Sequence, residues 1–211
     1  MEQAQQTLKE VAQAGDFEGL YESINRFPDI LDYIDNKSFV ETPLHTAASA
    51  GHTRFALEII RLKPSSGRKL NPDGFSALHM ALQNGHSYTA DRLTGFDKEL
   101  LRVKGRNGFT PLHAVAQRDE IELLAEFLRA NPESIEDLTI GDETAVHIAV
   151  KISRIRATKL LLRWISIIGK GHVLDWKDEE GNTVLHAAVS SLQNEVSYKI
   201  CLVYEVSYKL S

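Results

Sequence analysis

The chain has 211 residues, a net charge of −5 and one cysteine, Cys201. An acid excess argues against a general nucleic-acid binder, whose domain is strongly basic. A single thiol excludes an internal disulfide and points to a reducing compartment. The N-terminus lacks a basic-then-apolar leader pattern and no apolar run reaches about 18 residues, so a soluble chain is expected.

Residues 1–34 predict two helices, with Leu8 and Ala12 on the first and Phe17, Leu20, Tyr21 and Ile24 striping the second. The next segment, 35–69, opens on turn residues and then reads Thr42-Pro43-Leu44-His45-Thr46-Ala47-Ala48. Thr42 suits an N-cap and Pro43 a first helical residue that needs no N–H partner. A second helix follows with Phe55, Ile59, Ile60 and Leu62 as its apolar face, closed by Pro64. In 70–102 the turn Asn71-Pro72-Asp73-Gly74 precedes Ser76-Ala77-Leu78-His79. Its second helix holds Gly95 and is expected to be shorter or less stable.

Segment 103–136 repeats the pattern as Thr110-Pro111-Leu112-His113, then a stripe of Ile121, Leu124, Phe127 and Leu128. Segment 137–175 keeps Thr144 and His147, lengthens its second helix through Ile165, and predicts an insertion loop around 167–172. Segment 176–211 carries Thr183 and His186. From Val196 to Leu210 every even position is apolar, the period of a strand, while Val196, Ile200, Val203 and Tyr204 also make a helical set; the repeat context favours helix for 196–204. Position numbers 45, 79, 113 and 147 step by 34 and the last step, to 186, is 39. Such a period marks a stacked repeat, with the first and last units atypical because their outer faces meet water. One domain, 1–211, all-α, of about six helix-turn-helix units is expected.

Thr42 to His52 is the full Thr-Pro-Leu-His-x-Ala-Ala-x-x-Gly-His string, partly kept at 76–86, 110–120, 144–154 and 183–193. On these residues the chain resembles ankyrin-repeat proteins over about 5–195. It is most similar to the plant ankyrin-repeat membrane type (accelerated-cell-death and bian-da), whose units end near proline as at Pro28, Pro64 and Pro132. The resemblance implies an ankyrin solenoid that binds proteins, acts in plant defence signalling and lies in the cytoplasm. Relatives of that type continue into a membrane region with a Pro-Gly-Gly motif, which is not found here. It also implies that the recurring histidine hydrogen-bonds the turn backbone.

His45, His79, His113, His147 and His186 would stand about 10 Å apart by packing distances, too far to share a zinc ion. They read as structural, together with Thr42, Thr110, Thr144 and Thr183. No nucleophile arrangement or phosphate loop stands out; Gly169-Lys170-Gly171 is too short. Neither catalysis, nor a cofactor, nor a metal, nor a small-molecule substrate is expected. Turn tips and the exposed side of each first helix carry the binding expectation: Phe39, Phe75, Arg106, Phe109 and Glu143 at tips, and Met80, Gln83, Gln117, Arg118 and Lys151 on a concave floor with Thr46 and Ser49. Phe75 and Phe109 hold equivalent positions in neighbouring repeats. The run from Thr144 to Leu174 has no acid but has Lys151, Arg154, Arg156, Lys159, Arg163 and Lys170. This stretch reads as a solvated helix face balanced by Asp175, Asp178, Glu179 and Glu180 nearby; the alternative role is a regulator contacting an anionic membrane surface.

Overall fold

The computed structural model describes residues 1–191, 196–198, 200 and 201. They fall into two compact units, Met1–Arg106 and Asn107–Ser211. Among the described residues every regular element is helical.

In the first unit α1 (Glu2–Ala14) and α2 (Phe17–Arg26) pair, followed by α3 (Ile30–Asp35). Then come α4 (Pro43–Ser49) with α5 (Thr53–Leu62) and α6 (Ala77–Gln83) with α7 (Ser87–Phe96). First helices α1, α4 and α6 stack on one another, and α5 stacks on α7. In the second unit α8 (Pro111–Arg118) pairs with α9 (Ile121–Ala130), α10 (Ala145–Lys151) with α11 (Ile155–Ile168), and α12 (Val184–Ser190) packs on α10.

Short first helices are possible because nearly every residue in them is buried. Pro43 through Ala48 are all buried, and alanines 47, 48, 81, 116, 149 and 188 have 0% exposure. Their small side chains let helix axes approach closely, while Leu44, Leu78 and Leu112 fill the layers between. A fully buried leucine contributes on the order of 2 kcal/mol. The second helices bury one stripe each: Phe55, Ala56, Ile59 and Ile60 on α5, and Leu123, Leu124, Phe127 and Leu128 on α9. Leu62 and Ile121, expected within those stripes, are only half-buried.

After the second helix the chain returns through a one-turn 3-10 segment, Pro64–Arg68 or Pro132–Glu136, which starts on the repeated proline. The same turn recurs without proline at Lys98–Arg102 and Gly171–Asp175.

Two expectations are corrected. Helix α7 has 10 residues, the same as α5 and α9, so Gly95 does not shorten it. It sits in the last turn, where little helix remains to lose. The extra residues of the fifth repeat do not form an insertion loop: α11 runs 14 residues and is stopped by Gly169 in the left-handed conformation. At the C-terminal end, Val196–Tyr198, Ile200 and Cys201 are helical, with Val196 and Ile200 buried. The alternating positions from Leu202 to Leu210 lie outside the described residues.

Candidate partner-binding surface

The site is built on a repeated device at the start of each first helix. Thr42 adopts extended backbone and its hydroxyl accepts from the His45 N–H at 3.3 Å. His45 returns the bond: its Nδ1 lies 3.2 Å from the Thr42 N–H and 2.7 Å from the hydroxyl. Its Nε2 reaches the carbonyls of Lys69 and Phe75 at 3.1 and 3.0 Å. Carbonyls only accept, so Nε2 carries the proton and Nδ1 is the acceptor. The Thr42 hydroxyl therefore donates to Nδ1 while accepting from the helix. Burial favours the neutral ring and pushes its pKa down to about 4.

The pairs Ser76–His79, Thr110–His113, Thr144–His147 and Thr183–His186 repeat the capping geometry. His113 Nε2 reaches the Glu143 carbonyl at 3.1 Å. Turn bonding from the histidine, implied by the family resemblance, is thus present. In His147 the contact is weaker: its buried Nε2 faces the Trp176 backbone without closing a hydrogen bond of full geometry. Burial lowers its pKa too, opposed in part by the nearby Asp178 charge.

Held this way, the turn tips also join through their main chains. The Arg106 N–H donates to the Gly74 carbonyl at 2.7 Å. In the second unit the Ile140 N–H donates to Asn107, and the Glu179 N–H to Gly141, at 2.9 and 3.0 Å. Backbone hydrogen bonds of this kind leave the tip side chains available.

Those side chains divide into two groups. Phe39, Gln83, Arg106, Gln117 and Arg118 are exposed. Phe39 is 64% exposed and holds φ 48, a left-handed conformation that is an outlier for a bulky side chain. Phe75, Phe109, Met80 and Glu143 are only half-buried or less available. The Phe75 and Phe109 rings tilt against the histidines of their own repeats, 6.2 and 5.3 Å between centroids. Met80 Sδ is 3.7 Å from the Asn71 amide nitrogen. Thr46, expected on the concave floor, is buried at 4% exposure. Arg118 pairs with Glu120 at 2.5 Å.

Lys151 and Glu143, both expected to meet a partner, meet each other at 2.7 Å. Lys151 Nζ also stands 2.8 Å from Asp178 Oδ2, whose side chain is fully buried. Burial works against the lysine charge, but the bonds to Asp178 and Glu143 outweigh it and raise its pKa. Burial likewise opposes the Asp178 charge, and Lys151 with the N–H groups of Asn182 and Glu180 outweighs it, so that pKa falls. Lys170 is held between Glu133 and Glu136 at 2.5 and 2.6 Å, and Arg154 Nε donates to the Gln117 carbonyl. Two of the six cations of the expected basic face, Lys151 and Lys170, are therefore neutralised by carboxylates from other segments. Arg156 and Arg163 remain exposed.

Sequence reasoning missed Ile140, which is 75% exposed. The signal was present: 140 is 34 beyond Arg106, so it occupies the same tip position. Asp178 was also missed as a buried acid, because nothing local in sequence marks its lysine.

Residues 8–100 match the family model for ankyrin repeats (3 copies). The ankyrin repeat-containing protein BDA1 of Arabidopsis thaliana is 46% identical over 66 residues, 31% of this chain and 16% of BDA1. A second Arabidopsis thaliana ankyrin repeat-containing protein is 33% identical over 100 residues, 44% of this chain and 19% of the relative. The chain thus spans less than a fifth of either relative. Among solved structures, a chain from the Bdellovibrio bacteriovorus complex of the predatory endopeptidase Bd0816 with immunity protein Bd3460 aligns with a TM-score of 0.69. That match has 21% identity and covers 92% of this chain and 96% of the other, a likeness of fold. Among the described residues no helix is long and apolar enough to cross a membrane.

Proposed function

We propose that this chain, which carries ankyrin repeats, is a non-catalytic module that binds a protein partner through its turn tips and the exposed side of its first helices. The observation that carries the reading is that each unit presents a large apolar tip residue to solvent: Phe39 in the first, 64% exposed, and Ile140 in the second, 75% exposed, whose N–H donates to the Asn107 carbonyl. Exposed aromatic and aliphatic groups on a preformed surface lose little entropy on binding and are typical anchors. Exposed polar groups complete each unit's surface, Gln83 and Arg106 in the first and Gln117 and Arg118 in the second. The resemblance to the plant ankyrin-repeat membrane type supports defence signalling in the cytoplasm as the setting. Pairing of Lys151 and Lys170 with carboxylates speaks against a lipid-binding face.

The test separates binding from folding. Phe39→Gly removes the ring and relieves a positive φ, so it is expected to stabilise the chain by about 1 kcal/mol. It should at the same time reduce capture of the partner, identified by mass spectrometry of cross-linked complexes, by tenfold or more. Ile140→Ser should do the same to capture with little change in melting temperature. Unchanged capture in both variants would remove the tips from the interface.

A further inference from the structure

The second helices of the first unit carry a feature unrelated to the tips. Between α2, α5 and α7 lies an open trough of about 510 Å³. Its apolar lining includes Phe17 and Phe96, the latter 44% exposed. Arg54 and Arg92 line it, and neither has an ion-pair partner among the described residues. Arg54 lies over the Phe17 ring, 5.8 Å from its centroid. Glu58, the acid in the trough, is already engaged: Arg61 donates to it at 2.6 and 3.1 Å, and the Tyr21 hydroxyl at 2.5 Å.

Gly95 completes the lining. It is a helical glycine with a right-handed backbone, and a Cβ built there meets nothing within 4 Å. A helix disfavours glycine over alanine, and no neighbouring atom here requires it. What the glycine does provide is space in the trough wall.

We propose that this trough is a second binding surface, for an extended peptide segment that alternates carboxylates with large apolar side chains. Two guanidiniums without an ion-pair partner among the described residues select locally for acid, against the chain's net charge of −5, because each can take a carboxylate in a bidentate pair. The phenylalanines and the gap over Gly95 take the apolar groups. This inference does not depend on the role of the tips, since the residues lie on different faces of the repeats.

The experiment uses fluorescence anisotropy with the full chain and a labelled nonapeptide, Glu-Leu-Glu-Phe-Glu-Leu-Glu-Phe-Glu, against its glutamine counterpart. Binding of the acidic peptide is expected to be at least tenfold tighter than that of the glutamine peptide and to weaken as salt rises. Combined Arg54→Gln and Arg92→Gln substitution should reduce it tenfold or more. Gly95→Leu, whose Cβ meets open space, should abolish it while leaving the melting temperature unchanged or raised. Equal binding of the two peptides, or undiminished binding by the arginine variant or by Gly95→Leu, would overturn the proposal. So would sedimentation with phosphatidylserine vesicles that the arginine variant loses while peptide binding persists. The tip variants Phe39→Gly and Ile140→Ser should bind the peptide normally, so this surface and the tips fail or succeed separately.

Discussion

At the scale of single residues, the capping threonine and its histidine each make several bonds at once. The Thr42 hydroxyl serves a helix N–H and an imidazole nitrogen together, inside the core. Thr42→Val keeps the shape and strands both groups, so a loss of about 2 kcal/mol is expected, or a drop of roughly 4–8 °C in melting temperature for a chain of this length. The histidine sets a pH dependence. Its folded pKa of about 4 lies below the unfolded value near 6.5, so the unfolded state binds the proton first. Stability from His45 is complete above pH 6.5 and declines as pH falls toward 4, by roughly 3 kcal/mol in all. Urea midpoints measured at pH 7, 5.5 and 4.5 should fall in that order, and His45→Gln should flatten the series by removing this site's share. The threonine and histidine positions were legible because capping chemistry is local. The Lys151–Asp178 contact was not, because 27 positions separate the two numbers and only packing joins them. Lys151→Met leaves Asp178 buried without its counter-charge, and a loss of about 2 kcal/mol is expected after discounting for the partly exposed lysine. A melting temperature that does not move would show that the pair is solvated.

At the scale of elements, the turns that end helices show where a glycine is packed tightly and where it stands in open space. Gly51 holds φ 75 and a Cβ there would stand 2.6 Å from the His86 ring, part of the next repeat. Gly169 holds φ 71 with nothing within 4 Å. Both alanine substitutions incur the left-handed cost of about 1–2 kcal/mol. Only Gly51→Ala adds a collision that must displace a ring between stacked layers, so it should lower the denaturation midpoint clearly more than Gly169→Ala. Equal losses would mean that the ring moves aside freely. Asp119 and Ser153 take the same kind of left-handed turn without glycine, at φ 59 and 57; Asp119 offsets the strain by accepting from the Ala157 N–H at 2.8 Å. The two element-level errors have a common physical origin. Composition around Gly95 and Gly169 signals a helix break, but a glycine in or just after the last turn ends a helix without shortening it.

For the molecule as a whole, the all-helical repeat architecture was readable because each unit must bury the same face, which writes the same residues at a constant step. The binding surface was only partly readable. Exposure depends on how the tip folds over: Phe39 and Phe75 are both tip phenylalanines, yet one is 64% exposed and the other rests against His79. Charge was readable only in part: Asp178, one of the nearby acids expected to balance the acid-free stretch, does pair with Lys151, but Glu133, Glu136 and Glu143 reach its cations from earlier in the chain. The chain should accordingly stay in the supernatant with phosphatidylserine vesicles at physiological salt, and pelleting at that salt would reopen the lipid role.

The main-chain links between tips have a further consequence. Amides are common to every residue type but proline, and proline stands at position 72, one repeat before Arg106. Wherever the amide is kept, the identity of the side chain hanging from it is almost irrelevant to the scaffold. Vocabulary can therefore change at positions such as 106, 140 and 179 while the grammar of the fold stays intact, which makes those sites the natural places to randomise when a new specificity is wanted from this chain.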